Sequence, residues 1–420
     1  MTTLQRITAA ELPSARRDAV DPETLAAAST IVDDVREGGE EALREHAERL
    51  GDIEPGAPIV LGPDVLERAR DALPPGDIAL LERTAQRIRV FAQAQRASLV
   101  EARVAIEGGE AGHTISPVDR AGCYAPGGRF PLPSSVLMTV VTARAAGVGQ
   151  VWVASPRPAP VTLAAAAVAG ADGLIAVGGA QAIAALAYGA GPVPAVDVIV
   201  GPGNRWVTAA KQLVVGRVGI DMLAGPSELV VLADDTADPR VVAADLLAQA
   251  EHDVDARPML VTTSVVLADR VNEALKVQLE NLPTASTARA AVAEGFAVLC
   301  GSWEEALSVC DQIAPEHLEV MSKDPQEDAL RLHHYGALFL GAGAAEVMGD
   351  YGAGPNHVLP TGSSARFTGG LSVFDFLRVR TWMRIDNAEG AQTLVNDAVK
   401  LARHEGLEAH ARSALWRRNC

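Results

Sequence analysis

Two periodicities of apolar residues divide the chain. Between residues 22 and 110, apolar residues recur at helical spacing in the stretches 24–48, 63–73 and 77–98. From Asp119 onward, short runs rich in β-branched residues alternate with alanine-rich helical runs. Strand, helix and strand at this pitch predict parallel βαβ units. The sequence therefore predicts an α/β fold that follows a helical N-terminal region.

The predicted α/β region contains two successive alternations. The first has strands at 150–154, 173–177, 197–200 and 228–233, with helices at 134–147, 161–170, 180–188 and 206–214. The second continues to about residue 372 and includes a helix at 239–252, with Asp238 as N-cap and proline at its first position. Nearly continuous apolar strands indicate sheets that are covered on both faces. The residues from about Phe374 onward are again predicted to be helical.

Charge and composition exclude several classes of protein. The 420 residues carry a formal net charge of −17, which repels phosphate backbones, so nucleic-acid binding is not expected. No apolar segment has the length of a signal-peptide core or a membrane span. Because the four cysteines form no C-x-x-C pair, neither a zinc knuckle nor a dithiol redox centre is indicated. We expect a soluble, cytoplasmic protein without a membrane partner.

One cysteine lies close to a candidate site. Cys123 precedes a glycine-rich turn and is a possible nucleophile, although a small buried thiol is the more common case.

Three glycine-containing turns lie at predicted strand-to-helix junctions. They are Tyr124-Ala125-Pro126-Gly127-Gly128, Gly178-Gly179-Ala180-Gln181 and Gly201-Pro202-Gly203-Asn204. Glycines there let backbone N–H groups approach a phosphate, and ligands of open parallel sheets bind beyond the carboxyl ends of the strands. Each could be an ordinary tight turn, but together they favour a nucleotide site. The G-x-G-x-x-G fingerprint is absent, so a dinucleotide would bind by another arrangement.

Four polar segments offer metal ligands or acid–base groups. They contain Gln249 and His252, Glu316 and His317, Asp350 and His357, and Glu405 and His410. Imidazole, carboxylate and carboxamide are ligand types that zinc accepts. Gln249 and His252 share a helix face, although a histidine that interacts with the helix dipole would give the same pattern. The adjacent Glu316 and His317 suit proton transfer, or form a solvated loop pair.

Taken together, these residues resemble the histidinol dehydrogenase family. The matching segments follow the family order through almost the whole chain, at 124–128, 178–184, 201–211, 224–228, 249–252, 314–319, 349–360 and 405–410. The resemblance implies oxidation of L-histidinol to L-histidine with two NAD+ through a bound aldehyde, in the last steps of histidine biosynthesis. It implies one zinc ion per subunit and a homodimer in which the C-terminal segment completes the partner's site.

The resemblance also implies roles for individual residues. His317 resembles the base that takes the alcohol proton, Glu316 the residue that activates water on the aldehyde, and His357 a further active-site histidine. The implied zinc ligands are Gln249, His252, Asp350 and His410. The implied substrate contacts are Ser227, Gln249, His252, His317, Asp350, Glu405 and His410, and the implied NAD contacts are Tyr124, Gln181 and Asn204.

The predicted fold class is α/β, with two Rossmann-like parallel-sheet domains and helical N-terminal and C-terminal segments. The predicted boundaries are 1–21 for the N-terminal segment, 22–123 plus 229–372 for a first domain with the zinc and catalytic residues, 124–228 for an NAD-binding domain and 373–420 for the C-terminal segment. Two alternatives keep this scaffold. A zinc and NAD dehydrogenase of another polar alcohol would differ around Ser227 and 405–410, and a non-catalytic metal-binding regulatory protein would lack Glu316 or His317.

Overall fold

The computed structural model describes residues 3–13, 19–127 and 131–418. The strands are β1 (Gln5–Thr8), β2 (Val60–Leu61), β3 (Ala102–Ile106), β4 (Gly109–Pro117), β5 (Arg120–Tyr124), β6 (Gln150–Ala154), β7 (Gly173–Ile175), β8 (Val198–Val200), β9 (Gly219–Ile220), β10 (Glu228–Ala233), β11 (Arg257–Thr262), β12 (Phe296–Leu299), β13 (His317–Met321), β14 (Ala337–Leu340) and β15 (Leu377–Ile385).

The helices connect and cover these strands. They are α1 (Pro22–Arg49), α2 (Pro63–Asp71), α3 (Pro75–Ser98), α4 (Pro133–Ala146), α5 (Pro160–Ala169), α6 (Gly179–Tyr188), α7 (Arg205–Val214), α8 (Pro239–Ala250), α9 (Val265–Leu279), α10 (Ala285–Glu294), α11 (Trp303–Ile313), α12 (Pro325–Ala329), α13 (Glu346–Asp350), α14 (Gln392–His404) and α15 (Glu408–Leu415). The predicted start of α8 is confirmed, because the Asp238 carboxylate accepts a hydrogen bond from the Arg240 N–H at 2.9 Å.

The first of two large sheets, here called the β10 sheet, has the order β1-β12-β11-β10-β13-β14 and is parallel throughout. Alternate residues of its strands face opposite layers. Leu229 and Val231 pack with α8, α9 and α10, whereas Val230 and Leu232 pack with α11. Both faces are therefore buried, as the nearly continuous apolar strands predicted.

The second large sheet, here called the β5 sheet, has the order β2-β7-β6-β5-β8-β9. Its strands are parallel except β2, which pairs antiparallel with β7. One face packs against α3, α4 and α5 and the other against α1, α6 and α7. Two separate parallel sheets, each with a helical layer on both faces, confirm the predicted α/β class.

The structure corrects the predicted grouping of residues 22–123 with 229–372. Helix α1 packs against α6 and α7, α2 packs against α5, and α3 packs against α4. Strand β5 lies inside the sheet that also holds β6 and β8. The grouping was wrong because the apolar faces of α1 to α3 reveal that they are buried but not which sheet buries them. Segment 1–21 also contributes β1 to the edge of the β10 sheet.

A third sheet was not predicted at all. Strands β15, β4 and β3 form an antiparallel sheet in that order. The predicted helical stretch 373–420 therefore begins with a short 3-10 helix and a strand, and only α14 and α15 are helical as expected. Apolar residues of β15 alternate with arginines, a strand pattern that the helical prediction missed, yet most residues of β15 are exposed.

The connections place the polar segments at defined ends of the two sheets. In the β5 sheet the glycine-containing turns follow the carboxyl ends of β5, β7 and β8. In the β10 sheet, Glu316 and His317 lie at the amino end of β13. Because α8 is the crossover helix after β10, its last turn, with Gln249, returns to that amino edge. Two different edges thus supply the candidate groups.

Candidate functional site

A cluster of possible metal ligands joins α8 to α13. Ligand atoms of His252, Glu346 and Asp350 all lie within 4.8 Å of one another. The His252 Nε2 is 3.5 Å from the Asp350 Oδ2. The His252 Nδ1 lies 3.0 Å from the Ala248 carbonyl oxygen, so it can donate there and leave Nε2 as the ligand atom. The structure therefore brings together two of the predicted ligands, His252 and Asp350.

Gln249 lies one turn before His252, and its carboxamide is buried without a hydrogen-bond partner among the described residues. Both Oε1 and Nε2 of Gln249 lack a hydrogen-bond partner among the described residues, and the residue is fully buried. A buried carboxamide without partners costs free energy, because it has lost its hydration and gained nothing in return. A cation next to His252 and Asp350 would satisfy the Gln249 oxygen. The donor set of this cluster fits a zinc ion.

Glu346 was missed by the sequence analysis. It is four residues before Asp350 on the short helix α13, so both side chains lie on one face. Both of its carboxylate oxygens are buried and without a hydrogen-bond partner among the described residues. Burial, followed by the negative charge of Asp350, raises the pKa of Glu346 well above its ordinary value. The sequence did contain a signal for Glu346, because it lies four residues before Asp350 and next to the glycine-rich run.

The histidine of the predicted acid–base pair is held in one tautomer. The Nδ1 of His317 lies 3.3 Å from the Glu228 carbonyl oxygen, to which it can donate. Its Nε2 is buried and has no hydrogen-bond partner in the described parts of the chain. Burial lowers the pKa of His317 to about 4, so the ring is neutral at pH 7. A neutral imidazole with an unshared pair on Nε2 is equipped to accept a proton.

Glu316 is buried beside His317. The Glu316 Oε2 accepts a hydrogen bond from the Glu228 N–H at 3.0 Å and lies 3.7 Å from the His317 Nδ1. Burial raises the pKa of Glu316 to about 8. This carboxyl group can therefore give or take a proton near neutral pH. The alternative of a solvated loop pair is wrong, since Glu316 and His317 are 6% and 4% exposed.

His357 connects this region to the β5 sheet. Its Nδ1 lies 2.9 Å from the Asp350 carbonyl oxygen, and its Nε2 lies 3.4 Å from the Ser135 hydroxyl of α4. Burial lowers the pKa of His357, so its ring is also predominantly neutral at pH 7. His357 thus bridges the loop that carries Asp350 and the first turn of α4.

A second layer of carboxyl groups lies behind the cluster. Asp245, one turn before Gln249, faces Glu319, which shares a face of β13 with His317. The Asp245 Oδ2 and Glu319 Oε2 have no hydrogen-bond partner among the described residues unless the two share a proton. Burial raises the pKa of Asp245 to about 6 and that of Glu319 to about 8. Glu319 also accepts from the Glu346 N–H at 2.7 Å, so this layer supports α13.

The predicted nucleotide contacts lie on three turns of the β5 sheet. The Tyr124 hydroxyl accepts a hydrogen bond from the Gly179 N–H at 3.2 Å, and burial raises the pKa of Tyr124 to about 12, so its O–H stays protonated. Gln181 is buried on α6. Asn204 is the exposed N-cap of α7, where its Oδ1 accepts from the N–H groups of Trp206 and Val207. Gly128 of the first turn lies outside the described residues.

A small cavity joins the two sheets. It has a volume of about 130 Å³ and is lined by Gly201, Pro202, Gly203, Met222, Ala224, Gly225, Ser227, Glu316, His357, Val358, Leu359 and Thr361. A larger cavity of about 980 Å³ adjoins it through Met222, Gly225 and Thr361. The turn after β8 therefore opens onto the same space as Ser227 and Glu316, which a reaction between a nucleotide and a small polar substrate requires.

The structure does not bring Glu405 and His410 to this space. Both are exposed on the hairpin of α14 and α15, beside a groove of about 390 Å³. The acid–histidine cluster found in the described parts of the chain contains His252, Glu346 and Asp350 but not His410. A single chain thus offers an incomplete version of the predicted ligand set.

The nucleophile interpretation of Cys123 is wrong. Its thiol is fully buried in β5, and burial raises the pKa of Cys123 to about 12.

Within the described residues, no helix is both long enough and apolar enough to cross a membrane.

Comparison with known proteins identifies the family. The model of the histidinol dehydrogenase family matches residues 14–418. The chain belongs to the histidinol dehydrogenase family. The histidinol dehydrogenase of Thermus thermophilus is 47% identical over 409 residues, covering 95% of each chain, and that of Ralstonia nicotianae is 43% identical over 405 residues, covering 93% of this chain and 90% of that one.

A solved structure agrees with this assignment. The crystal structure of histidinol dehydrogenase from Elizabethkingia anophelis matches with a TM-score of 0.91 and 30% identity, covering 99% of this chain and 98% of that chain. Membership in the histidinol dehydrogenase family makes the protein an oxidoreductase of histidine biosynthesis.

Proposed function

We propose that this chain oxidises L-histidinol to L-histidine with two NAD+ and one zinc ion per subunit, through a bound aldehyde. The observation that carries the proposal is the shared cavity, onto which the turn after β8, Ser227 and Glu316 all open. Beside it, His317 presents a neutral Nε2, and His252 and Asp350 form a cluster with the chemistry of a zinc site.

The residues that would hold zinc are Gln249, His252 and Asp350 of one chain and His410 of a second copy. The Gln249 carboxamide supports this set, because it is buried and unsatisfied one turn before His252 on α8. Bound zinc would act as a positioning group and Lewis acid for the substrate's imidazole and amino groups. Glu346 borders the same cluster, and we assign it a supporting role through its contact with the carboxyl layer of Asp245 and Glu319.

In the first half-reaction, His317 removes the alcohol proton while hydride passes to the nucleotide. Hydride leaves a carbon only when charge on the attached oxygen is relieved, and a neutral imidazole can do this. The Glu228 carbonyl oxygen accepts from Nδ1 and so directs the basic Nε2 away from the strand. The same carbonyl then stabilises the imidazolium that forms.

In the second half-reaction, Glu316 activates water for addition to the aldehyde, which makes a hydrate that can lose a second hydride. A carboxyl group whose pKa lies near 8 exchanges protons with water at neutral pH. Because Glu316 is adjacent to His317, the substrate need not move between the two steps. Ser227 lies in the same cavity and would contact the substrate, with Gln249, His252, His317, Asp350, Glu405 and His410 completing that shell.

Tyr124, Gln181 and Asn204 would contact the nucleotide. They lie on turns at the carboxyl edge of the β5 sheet, which is where open parallel sheets bind ligands. The exposed hairpin that carries Glu405 and His410 supports a homodimer in which each C-terminal segment serves the other subunit's site.

The test is an NADH-formation assay with L-histidinol, with and without chelator and added zinc. We expect about two NADH per histidinol consumed and no free aldehyde, loss of turnover with chelator, and recovery with zinc. One NADH with accumulating aldehyde would refute the second oxidation, and full activity of metal-free protein would refute the zinc requirement.

A further inference from the structure

A buried carboxylate outside the predicted nucleotide segments contacts the nucleotide turn. Asp52 lies in the turn after α1, where its N–H bonds to the Ala47 carbonyl oxygen at 2.8 Å. Its side chain is 8% exposed. The Asp52 Oδ2 accepts hydrogen bonds from the Gly178 N–H at 3.0 Å and from the Gln181 Nε2 at 2.8 Å. One oxygen atom therefore ties the N-terminal helices to the start of α6.

This carboxylate occupies the place where a helix N-terminus would otherwise attract an anion. Gly178 is the N-cap of α6 and has no side chain with which to cap it, so Asp52 supplies the acceptor from another element. The next N–H, of Gly179, donates to the Tyr124 hydroxyl. The first two N–H groups of this turn are thus already bonded within the protein. The Asp52 charge is offset in part by the Arg157 guanidinium, whose Nη1 lies 3.9 Å from the Asp52 Oδ1. Because the N–H groups of Gly178 and Gly179 are already bonded, we do not place the pyrophosphate at these two groups.

The contact also fixes what Gln181 can offer a ligand. With Nε2 donating to Asp52, the carboxamide orientation is defined and Oε1 remains as an acceptor. The carboxamide lies against Gly179, where an added Cβ would be 2.8 Å from Oε1. The neighbouring Tyr124 hydroxyl uses its oxygen to accept and retains its proton as a donor. Together, Gln181 and Tyr124 present one acceptor and one donor.

We infer that Asp52 is a positioning residue for the nucleotide, which holds the Gln181 carboxamide so that Oε1 accepts from a donor group such as a ribose hydroxyl or an amide NH₂. The inference rests on the proposed NAD+ site. Without Asp52, the Gln181 carboxamide would lose the acceptor that fixes its orientation and the Gly178 N–H would lose its acceptor, so the turn would present a mixture of donor and acceptor arrangements.

The experiment measures NADH binding by fluorescence to the full-length protein without histidinol. We expect Asp52→Ala to weaken NADH binding about tenfold, the loss expected for one well-placed hydrogen bond. Asp52→Asn keeps an oxygen that can accept both bonds, so its affinity should stay within about threefold of wild type. In turnover, Asp52→Ala should raise KM for NAD+ by a similar factor and leave KM for histidinol unchanged, because the substrate groups lie on the β10 sheet.

A double variant tests whether Asp52 acts through Gln181. If it does, Asp52→Ala added to Gln181→Ala should cost less than about threefold beyond Gln181→Ala alone, since coupled residues are not additive. Asp328→Asn is the matched control, because Asp328 is also 8% exposed and accepts two side-chain hydrogen bonds, from Trp303 and Ser322, on the other sheet. It should leave NADH affinity unchanged.

Different outcomes test the role of Asp52 and the presence of a nucleotide site. Saturable NADH binding that is equal in wild type and Asp52→Ala, or additive losses in the double variant, would overturn the role of Asp52 alone. A lower melting temperature of Asp52→Ala with unchanged KM for NAD+ would make Asp52 merely structural. Wild-type protein that does not bind NADH would instead refute the proposed nucleotide function.

Discussion

At the scale of single residues, burial separates the proton affinities of two adjacent groups. Burial lowers the pKa of His317 to about 4 and raises that of Glu316 to about 8, because it disfavours the charged form of each. The result is a neutral base beside a carboxyl group that can exchange protons near pH 7. This separation allows the two residues to serve different half-reactions.

The two residues should therefore be separable by mutation. Glu316→Gln removes the group that activates water, so we expect the rate from the aldehyde to fall by about 10²–10⁴-fold and the first oxidation to fall far less. His317→Asn should depress both steps. Single-turnover NADH formation from histidinol and from histidinaldehyde measures each step, and small, equal losses in both variants would contradict the assignment.

The carboxyl layer behind the site makes the stability depend on pH. A carboxyl whose pKa is raised in the folded state contributes stability at low pH that is lost as pH rises through that pKa. Burial raises the pKa of Asp245 from 3.8 to about 6 and that of Glu319 from 4.5 to about 8, so the loss falls between about pH 4 and pH 8. Asp245→Asn provides an amide that donates to Glu319, so it should raise the free energy of unfolding at pH 9 by about 1–3 kcal/mol and flatten the pH dependence.

Urea midpoints at pH 4 and pH 9 measure this effect. Asp71→Asn is the control, because Asp71 is exposed and pairs only with Arg70 in the described residues. It should leave the pH dependence as in wild type. Asp245→Asn that destabilised the protein equally at both pH values would show that the two carboxyl groups do not share a proton.

The sequence predicts some of these residues and not others. Glu316, His317, His252 and Asp350 lie in short motifs whose residue types already indicate acid–base or metal chemistry. Asp245 stands in an ordinary helical stretch, and Asp52 stands in a glycine-containing turn after α1. Their roles arise from contacts with residues 126 and 74 positions away, Gly178 and Glu319. Only the folded chain reveals such contacts.

At the scale of elements, α3 supports the loop between Asp350 and His357. The Arg87 Nε donates to the Gly352 carbonyl oxygen at 2.7 Å. Gly352 has φ of +88°, and a Cβ there would come within 2.4 Å of the Thr84 side chain. The close approach and the left-handed backbone both require glycine. Helix α3, which packs on the β5 sheet, thus shapes the loop that follows the proposed zinc ligand Asp350.

Loss of the Arg87 contact should weaken metal binding. We expect Arg87→Ala to raise the zinc dissociation constant by about 10–100-fold, as for other outer contacts of metal ligands. Arg89→Ala is the control, because Arg89 lies two residues away on α3 and bonds only to Gln86 among the described residues. Calorimetric zinc titration of the chelator-treated proteins measures both, and equal affinities would show that α3 does not position Asp350.

The elements themselves were predicted to different degrees. Helices such as α4 and α8 and strands such as β6, β8 and β10 were predicted because long apolar runs are bounded there by turn residues, whereas β1, β2 and β9 were not predicted. The antiparallel sheet was not, since β3, β4 and β15 are largely exposed or half-buried and the pairing of β15 with β4 joins residues 260 to 276 positions apart. Local patterning contains no signal for such a pairing.

At the scale of the whole molecule, one chain does not bring all of the proposed zinc ligands together, because His410 lies away from the others. His252 and Asp350 lie together and Gln249 is buried one turn before His252 on α8, whereas His410 lies exposed on a terminal hairpin. That hairpin buries little of its own, with Ala411 and parts of α14 forming a small separate core. Two chains that exchange hairpins would complete both sites by a closed two-fold arrangement.

Mixed dimers test this exchange directly. His410→Ala and Gln249→Ala chains should each be nearly inactive alone, because every site then lacks one ligand. After dissociation and reassembly, a heterodimer would have one site with both defects and one with neither. Its activity should therefore return to about half that of the wild-type dimer. Two differently tagged chains, purified for both tags, give the heterodimer free of the parent dimers. If the verified heterodimer stays inactive, or if wild-type protein is fully active as a monomer, each site is built from one chain and the shared arrangement is wrong.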